Sequence, residues 1–220
     1  MPNLSTTTYT ATEVAELDRY TVEDLGIDLK QLMEIAGMRS AEIAVEMLPK
    51  DEIGIVAVLA GPGGNGGDAL VCAKWLKLWG HEPYILLSHE REKLKPVTTH
   101  QLAIWEHFGS AVVEELHTEV DLIVDGLLGY SLSGDPRGHA AELIDWANDT
   151  NKPILALDIP SGMDATTGEI RQPCIKAKKT AVYGVLKEGL MIDGASEYTG
   201  DIHLIDIGFP REFPPEILKK

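Results

Sequence analysis

Cysteine is scarce in this chain. Cys72 and Cys174 are its only two, far apart and without a CxxC partner. That excludes a disulfide framework and a cysteine-rich zinc site, so reduced thiols and a cytoplasmic setting are expected. Long apolar runs are missing as well. Stretches such as 53–60 are too short to span a bilayer. The opening MPNLSTTTY has no basic start and no apolar stretch, so no secretory leader is expected. Positive charge is in deficit: 19 Lys and Arg stand against 35 Asp and Glu, a net −16 that repels nucleic acid and anionic membranes. HExxH is absent among the seven histidines, His81, His89, His100, His107, His117, His139 and His203, which read as surface or internally satisfied residues.

The remainder is ordinary globular material: 220 residues, 44% hydrophobic, enough apolar content for the core of one domain. A single domain over 1–220 is expected, with residues 1–10 as a flexible lead-in. Helical spacing occupies 11–23, with Thr12 as its cap, and 29–48. IGIVAVLA (53–60) reads as a strand buried on both faces. Helix 68–80, strand 84–88 and helix 97–108 follow, then strand 120–129, helix 140–149, strand 153–162 and strands at 179–184 and 201–208. Alternating strands and helices predict a mostly parallel sheet covered on both faces, with any ligand at the carboxyl ends of the strands.

Three of those strand ends are chemically unusual: AGPGGNGGD (60–68), DGLLGYSLSGDPRG (125–138) and DIPSGMDATTG (158–168). Parallel strands bring such ends to one edge, so Asn65, Asp68, Asp125, Asp158, Ser161 and Asp164 are expected to converge. The glycine loop matches neither GxGxxG nor GxxxxGK[ST]. It serves either packing or a backbone cradle for phosphate at a helix N-terminus. Asp158 either caps a turn or works at a site. Asp125, in the apolar context IVDGLL, needs a partner, a cation or a raised pKa; carboxylate, amide, hydroxyl and carbonyl oxygens suit a hard cation. Lys187 reads equally as a site or a surface residue. Trp75 and Trp79 read as a helix face against the sheet, and REKLK (91–95) as a solvated turn.

Taken in order, these stretches resemble the NAD(P)H-hydrate epimerase family, the N-terminal domain of YjeF-type proteins. TATEVAELDRYTVEDLGIDLKQLMEIAG resembles the family's opening helices, with Asp18 and the LMExAG pattern. AGPGGNGGDAL resembles GPGNNGGDGL, and VDLIVDGLLGYSLSGDPRG resembles VDALFGTGL…RG. LALDIPSGMDATTG is close to DIPSGLDADTG, and VLKEGL and GDIHLIDIGFP resemble the closing strands. The departures are Ile35, Gly64, Ala69 and Tyr130-Ser131, where the family has asparagine, asparagine, glycine and Thr-Gly. Ala69 therefore calls for a negative φ or strain.

The resemblance implies a three-layer αβα sandwich with a Rossmann-like, mostly parallel sheet. It implies an enzyme that interconverts the R and S forms of hydrated NADH or NADPH, in which water has added at C6 of the nicotinamide. A separate ADP/ATP-dependent, S-specific dehydratase would complete the repair. It implies a potassium ion held by Asn65, Asp125 and Ser161. Dinucleotide contacts would come from Gly64, Asn65, Gly66, Gly67 and Asp68, from Gly129, Tyr130, Ser131, Leu132, Ser133, Gly134 and Asp135, and from Asp158. Asp158 is expected as the acid/base, with Asp68 or Lys187 assisting. A homodimer through residues 11–48 is expected. The alternative is a nucleotide-binding or scaffold protein with little or no turnover on the same fold; nucleic acid is a poor partner at −16.

Overall fold

A computed structural model describes residues 7–116, 119–210 and 212–214. Strand β1 (Thr8–Tyr9) leads into helix α1 (Ala11–Arg19), which continues into a π-helical turn, Tyr20–Asp24. Helix α2 (Leu29–Met47) precedes β2 (Ile55–Ala60), α3 (Gly64–Leu78), β3 (Glu82–Leu87) and α4 (Pro96–His107). Then come β4 (Leu122–Gly126), α5 (Gly138–Asp149), β5 (Ile154–Leu157), β6 (Lys179–Tyr183), β7 (Leu186–Lys187), α6 (Ser196–Thr199) and β8 (Asp201–Ile205).

Six strands form one sheet in the order β3-β2-β4-β5-β6-β8, and every pairing is parallel. Alternation within β2 explains its unbroken apolar run. Val56, Val58 and Ala60 pack with α2, α3 and α4; Ala57 and Leu59 face the opposite layer, with Leu143, Ile144 and Ala147 of α5. Both faces are covered, which is the expected three-layer arrangement. Each fully buried aliphatic side chain here contributes roughly 1.5–3 kcal/mol.

Local chemistry accounts for the element ends, with some corrections. Thr10, not Thr12, caps α1: its Oγ1 accepts from Glu13 N at 3.2 Å, while Thr10 N donates to Glu13 Oε2 at 2.8 Å, a complete capping box. Thr8 and Tyr9 pair with Leu186 and Lys187, so that part of the supposed lead-in is a strand; residues 1–6 of it lie outside the described residues. Helix α3 starts at Gly64, four residues before the position expected from propensity. A Cβ on Gly66 would lie 1.9 Å from the Gly61 carbonyl oxygen, and one on Gly67 2.6 Å from Met33 Cε. Close packing therefore forces a helix onto residues that disfavour it by about 1 kcal/mol each. Ala69 lies inside this helix and is not among the residues with positive φ, so its replacement of glycine brings no strain.

Candidate functional site

A cavity of about 1060 Å³ opens at the carboxyl edge of the sheet. The glycine turn, the 127–137 loop, α1, α2 and the ends of β3 and β5 wall it. Gly64, Asn65, Asp68, Asp158 and Lys187 line it, as do Gly129, Tyr130, Ser131, Leu132, Ser133, Gly134 and Asp135. The glycine turn is held with its carbonyls engaged elsewhere. Pro62 O accepts from Lys95 N at 2.8 Å, and Gly63 O accepts from Thr98 Oγ1 at 2.7 Å. A Cβ on Gly63 or Gly64 would meet nothing within 4 Å, so this stretch is bare backbone at the start of α3. Gly66 and Gly67 are buried and do not line the cavity; packing accounts for both glycines.

One wall carries an acid–base cluster. Lys187 is 1% exposed, and its Nζ donates to Asp158 Oδ1 at 2.5 Å and to Tyr183 O at 2.9 Å. The open choice between site and surface thus resolves to the interior. Asp158 sits at φ +65°, a left-handed conformation that aspartate tolerates better than most residues. Its backbone N donates to Ala181 O at 2.7 Å, and its Oδ1 also accepts from Tyr183 N at 3.1 Å. Asp68 shows part of its surface to the cavity yet is surrounded by protein. Burial, then the nearby Asp158 and Asp18 carboxylates, hold its pKa well above the usual range despite Lys187. Asp18 is raised too, by burial and by Asp158, while Tyr130 and Lys187 oppose the rise. Tyr130 Oη donates to Asp18 Oδ2 at 2.6 Å, which ties the 127–137 loop to α1.

A second group lies just behind the cavity wall. Asp125 and Ser161 are wholly buried; Ser161 Oγ and N donate to Asp125 Oδ1 and Oδ2 at 2.6 and 2.8 Å. Burial pushes the Asp125 pKa up to about 6, against those two bonds and one from Leu127 N. Leu128 N donates to Ser161 Oγ at 2.9 Å, and Asn65 Nδ2 donates to Leu128 O at 2.9 Å. Asn65 Oδ1 is buried and accepts no hydrogen bond from any described residue. An orphaned amide oxygen beside a buried carboxylate and hydroxyl is the donor chemistry of an alkali-cation site, so these residues fit potassium. Among the described residues, no cluster of three or more His, Cys, Asp and Glu side chains forms a metal centre of the transition-metal kind.

Not every expected residue joins the site. Asp164 does not line the cavity; its Oδ1 accepts from Thr166 N and Thr167 N at 2.9 and 2.8 Å, stabilising a turn. Conversely, Asp18, His89, Lys95 and Arg137 line the cavity although the motif reading left them outside the site. His89 follows the end of β3, and Lys95 closes the stretch read as a solvated turn. Their position beside the glycine turn is a consequence of sheet order. Trp75 half packs on the core, whereas Trp79 is 40% exposed, so only the first matches a helix face against the sheet. His81 is internally satisfied, its Nδ1 accepting from Gly54 N at 3.1 Å; His117 lies outside the described residues. Cys72 and Cys174 are both free and buried.

A parallel αβα sheet with a cavity at the carboxyl ends of its strands defines the class. Residues 29–189 match the family model described as YjeF-related protein N-terminus, and the chain belongs to that family. It is 37% identical over 208 residues to a protein named NAD(P)H-hydrate epimerase from Dehalogenimonas lykanthroporepellens, covering 93% of this chain and 83% of that one. It is 34% identical over 218 residues to a protein of the same name from Rhodopirellula baltica, covering 96% and 88%. Against the bifunctional NAD(P)H-hydrate repair enzyme Nnr of Thermosynechococcus vestitus it is 36% identical but spans 37% of that protein's length. A crystal structure of the yeast protein ynu0, YNL200c, superposes with a TM-score of 0.78 at 25% identity, covering 96% of this chain and 91% of that one. No helix among the described residues is long and apolar enough to cross a membrane.

Proposed function

We propose that this chain is an NAD(P)H-hydrate epimerase, interconverting the R and S forms of hydrated NADH and NADPH. The observation that carries this reading is the buried Lys187–Asp158 pair with Asp68 on the wall of a cavity large enough for a dinucleotide. In the hydrate, C6 bears a hydroxyl and is bonded to the ring nitrogen. Its lone pair can expel that hydroxyl as water once a proton is delivered, leaving a planar C6 with a C=N bond. Asp68, holding its proton through its raised pKa, donates it to the departing hydroxyl. Water then re-adds from either face as an ionised carboxylate removes its proton, so both epimers form. Lys187 orients Asp158 and compensates its charge.

Asn65, Asp125 and Ser161 would hold the potassium ion. When bound, it offsets the Asp125 charge and fixes the loop that carries Leu128. A homodimer through the opening helices belongs to this reading, supported by Leu25 and Leu29, 45% and 41% exposed there. The bifunctional relatives support a separate dehydratase as the partner activity.

The test is a coupled assay. An S-specific dehydratase exhausts the S epimer of a mixed hydrate, then this protein is added in potassium or in matched tetramethylammonium. A second rise in reduced nucleotide, faster in potassium and lost in Asp158→Asn, is expected. A rise no faster than the spontaneous rate, from folded protein, would refute the reading.

A further inference from the structure

The order of strands places the end of β3 beside the glycine turn. β2 and β3 are paired in parallel from Ile55↔Glu82 to Ala60↔Leu87, so the chain leaving β3 emerges next to the chain leaving β2. In the dinucleotide-binding βαβ unit, whose strand order this turn shares without its GxGxxG pattern, a residue near the end of the second strand meets the 2′ position of the adenosine ribose. An acid there accepts from a 2′-hydroxyl; a base accommodates a 2′-phosphate. Here the place is taken by Ser88 and His89. Ser88 N donates to Ala60 O at 3.0 Å, so the ladder extends to this point. Ser88 Oγ lies 2.9 Å from His89 Nδ1, which fixes the imidazole and leaves Nε2 as its other hydrogen-bonding atom.

Basic side chains also line the cavity, His89, Lys95 and Arg137 among them, with Asp135 two residues before Arg137. Neither Lys95 nor Arg137 makes an ion pair within the described residues. Burial and then the nearby Lys93 and His139 lower the His89 pKa, so the fixed positive charge of this lining comes from Lys95 and Arg137, with the imidazole as a hydrogen-bonding group. In a chain of net charge −16, two cations without carboxylate partners in a cavity lining suit an anion. Asp18, Asp68 and Asp158 gather instead around Lys187, within the acid–base cluster.

We propose that His89, Lys95 and Arg137 form a phosphomonoester site for the 2′-phosphate of an adenine dinucleotide, so that the chain prefers the hydrate of NADPH to that of NADH. The identity of the ring rests on the epimerase reading; the phosphate preference rests on the wall itself. Calorimetric titration of the wild-type chain with adenosine 2′,5′-bisphosphate against 5′-AMP, and with NADP+ against NAD+, tests it at constant ionic strength. The phosphorylated member of each pair is expected to bind at least about tenfold tighter, the scale of one charge-assisted contact. Lys95→Glu and His89→Gln should each bring the ratio toward one. Equal affinities in the wild-type chain, or no binding of any of the four, overturns the proposal, as does a ratio untouched by both substitutions. Epimerisation of the two hydrates with equal KM also overturns it while leaving the epimerase reading intact. A 2′-phosphate preference without any epimerisation does the reverse.

Discussion

Replacing Lys187 by methionine tests the acid–base wall most directly. Methionine keeps most of the length and apolar bulk of the side chain but removes the ammonium. Asp158, 6% exposed, then keeps, among the described residues, only the Tyr183 N–H as donor to its carboxylate and faces Asp18 and Asp68 without a counter-charge. Removing one partner of a buried pair costs about 3–5 kcal/mol. Asp158 lines the cavity rather than the sealed core, so the lower end of that range is expected. At about 2–4 °C per kcal/mol for a chain of this size, melting should fall by roughly 6–12 °C. Asp158→Asn should cost less. Asparagine tolerates φ +65° and still accepts from Tyr183 N, and Lys187 retains the Tyr183 carbonyl and two neighbouring carboxylates. The double variant should then be more stable than the sum of the singles implies, by roughly 1–3 kcal/mol, while remaining inactive. Thermal and urea denaturation of the four proteins complete the cycle. Strict additivity, or a Lys187→Met loss below about 1 kcal/mol, would refute the claim that the pair organises this wall.

Asp68→Asn probes the proton on Asp68. The folded state holds that proton at a pH where the unfolded chain has lost it, so wild-type stability falls as pH rises above the unfolded value of 3.8. The asparagine variant lacks this slope; it should match wild type near pH ~4 and exceed it near pH ~8 in denaturant titrations, and parallel curves would argue against a protonated Asp68. Gly66→Ala drives a methyl into the Gly61 carbonyl and should cost about 1–3 kcal/mol, whereas Gly64→Ala enters open space and should stay within about 0.5 kcal/mol. Equal melting of those two variants would show that the turn is not packed as described. Tyr130→Phe removes the Asp18 bond, costing about 1–3 kcal/mol, and frees the loop, so KM should rise more than kcat falls. Unchanged KM and melting together would sever the loop from α1.

Much of the fold was legible because its signals are local. The unbroken run 55–60 can only be a strand with both faces covered, and alternation with helical segments then requires parallel pairing. Helix starts were less legible. Glycine propensity argued for a start at 68, but close approach of Gly66 to Gly61 placed the start at Gly64. The cap at Thr10 is closed locally by Glu13, whereas the pairing of Tyr9 with Lys187 depends on a partner distant in sequence. Asp164 was grouped with the site by its motif, yet its own turn consumes its carboxylate.

Residue identity alone determined which chemistry this protein carries: carboxylates and an amide at strand ends, bare glycines at a turn, and too little cysteine or histidine pattern for zinc or disulfides. Tertiary structure decided what each group does. Burial separates Asp68, whose pKa is raised, from Asp158, which is paired with a lysine read equally as a surface residue. Sheet order brings His89 and Lys95 to the rim beside the glycine turn. The cause is the same in each case. Motifs record which atoms are available, whereas desolvation and Coulomb terms depend on neighbours that only the folded chain assembles.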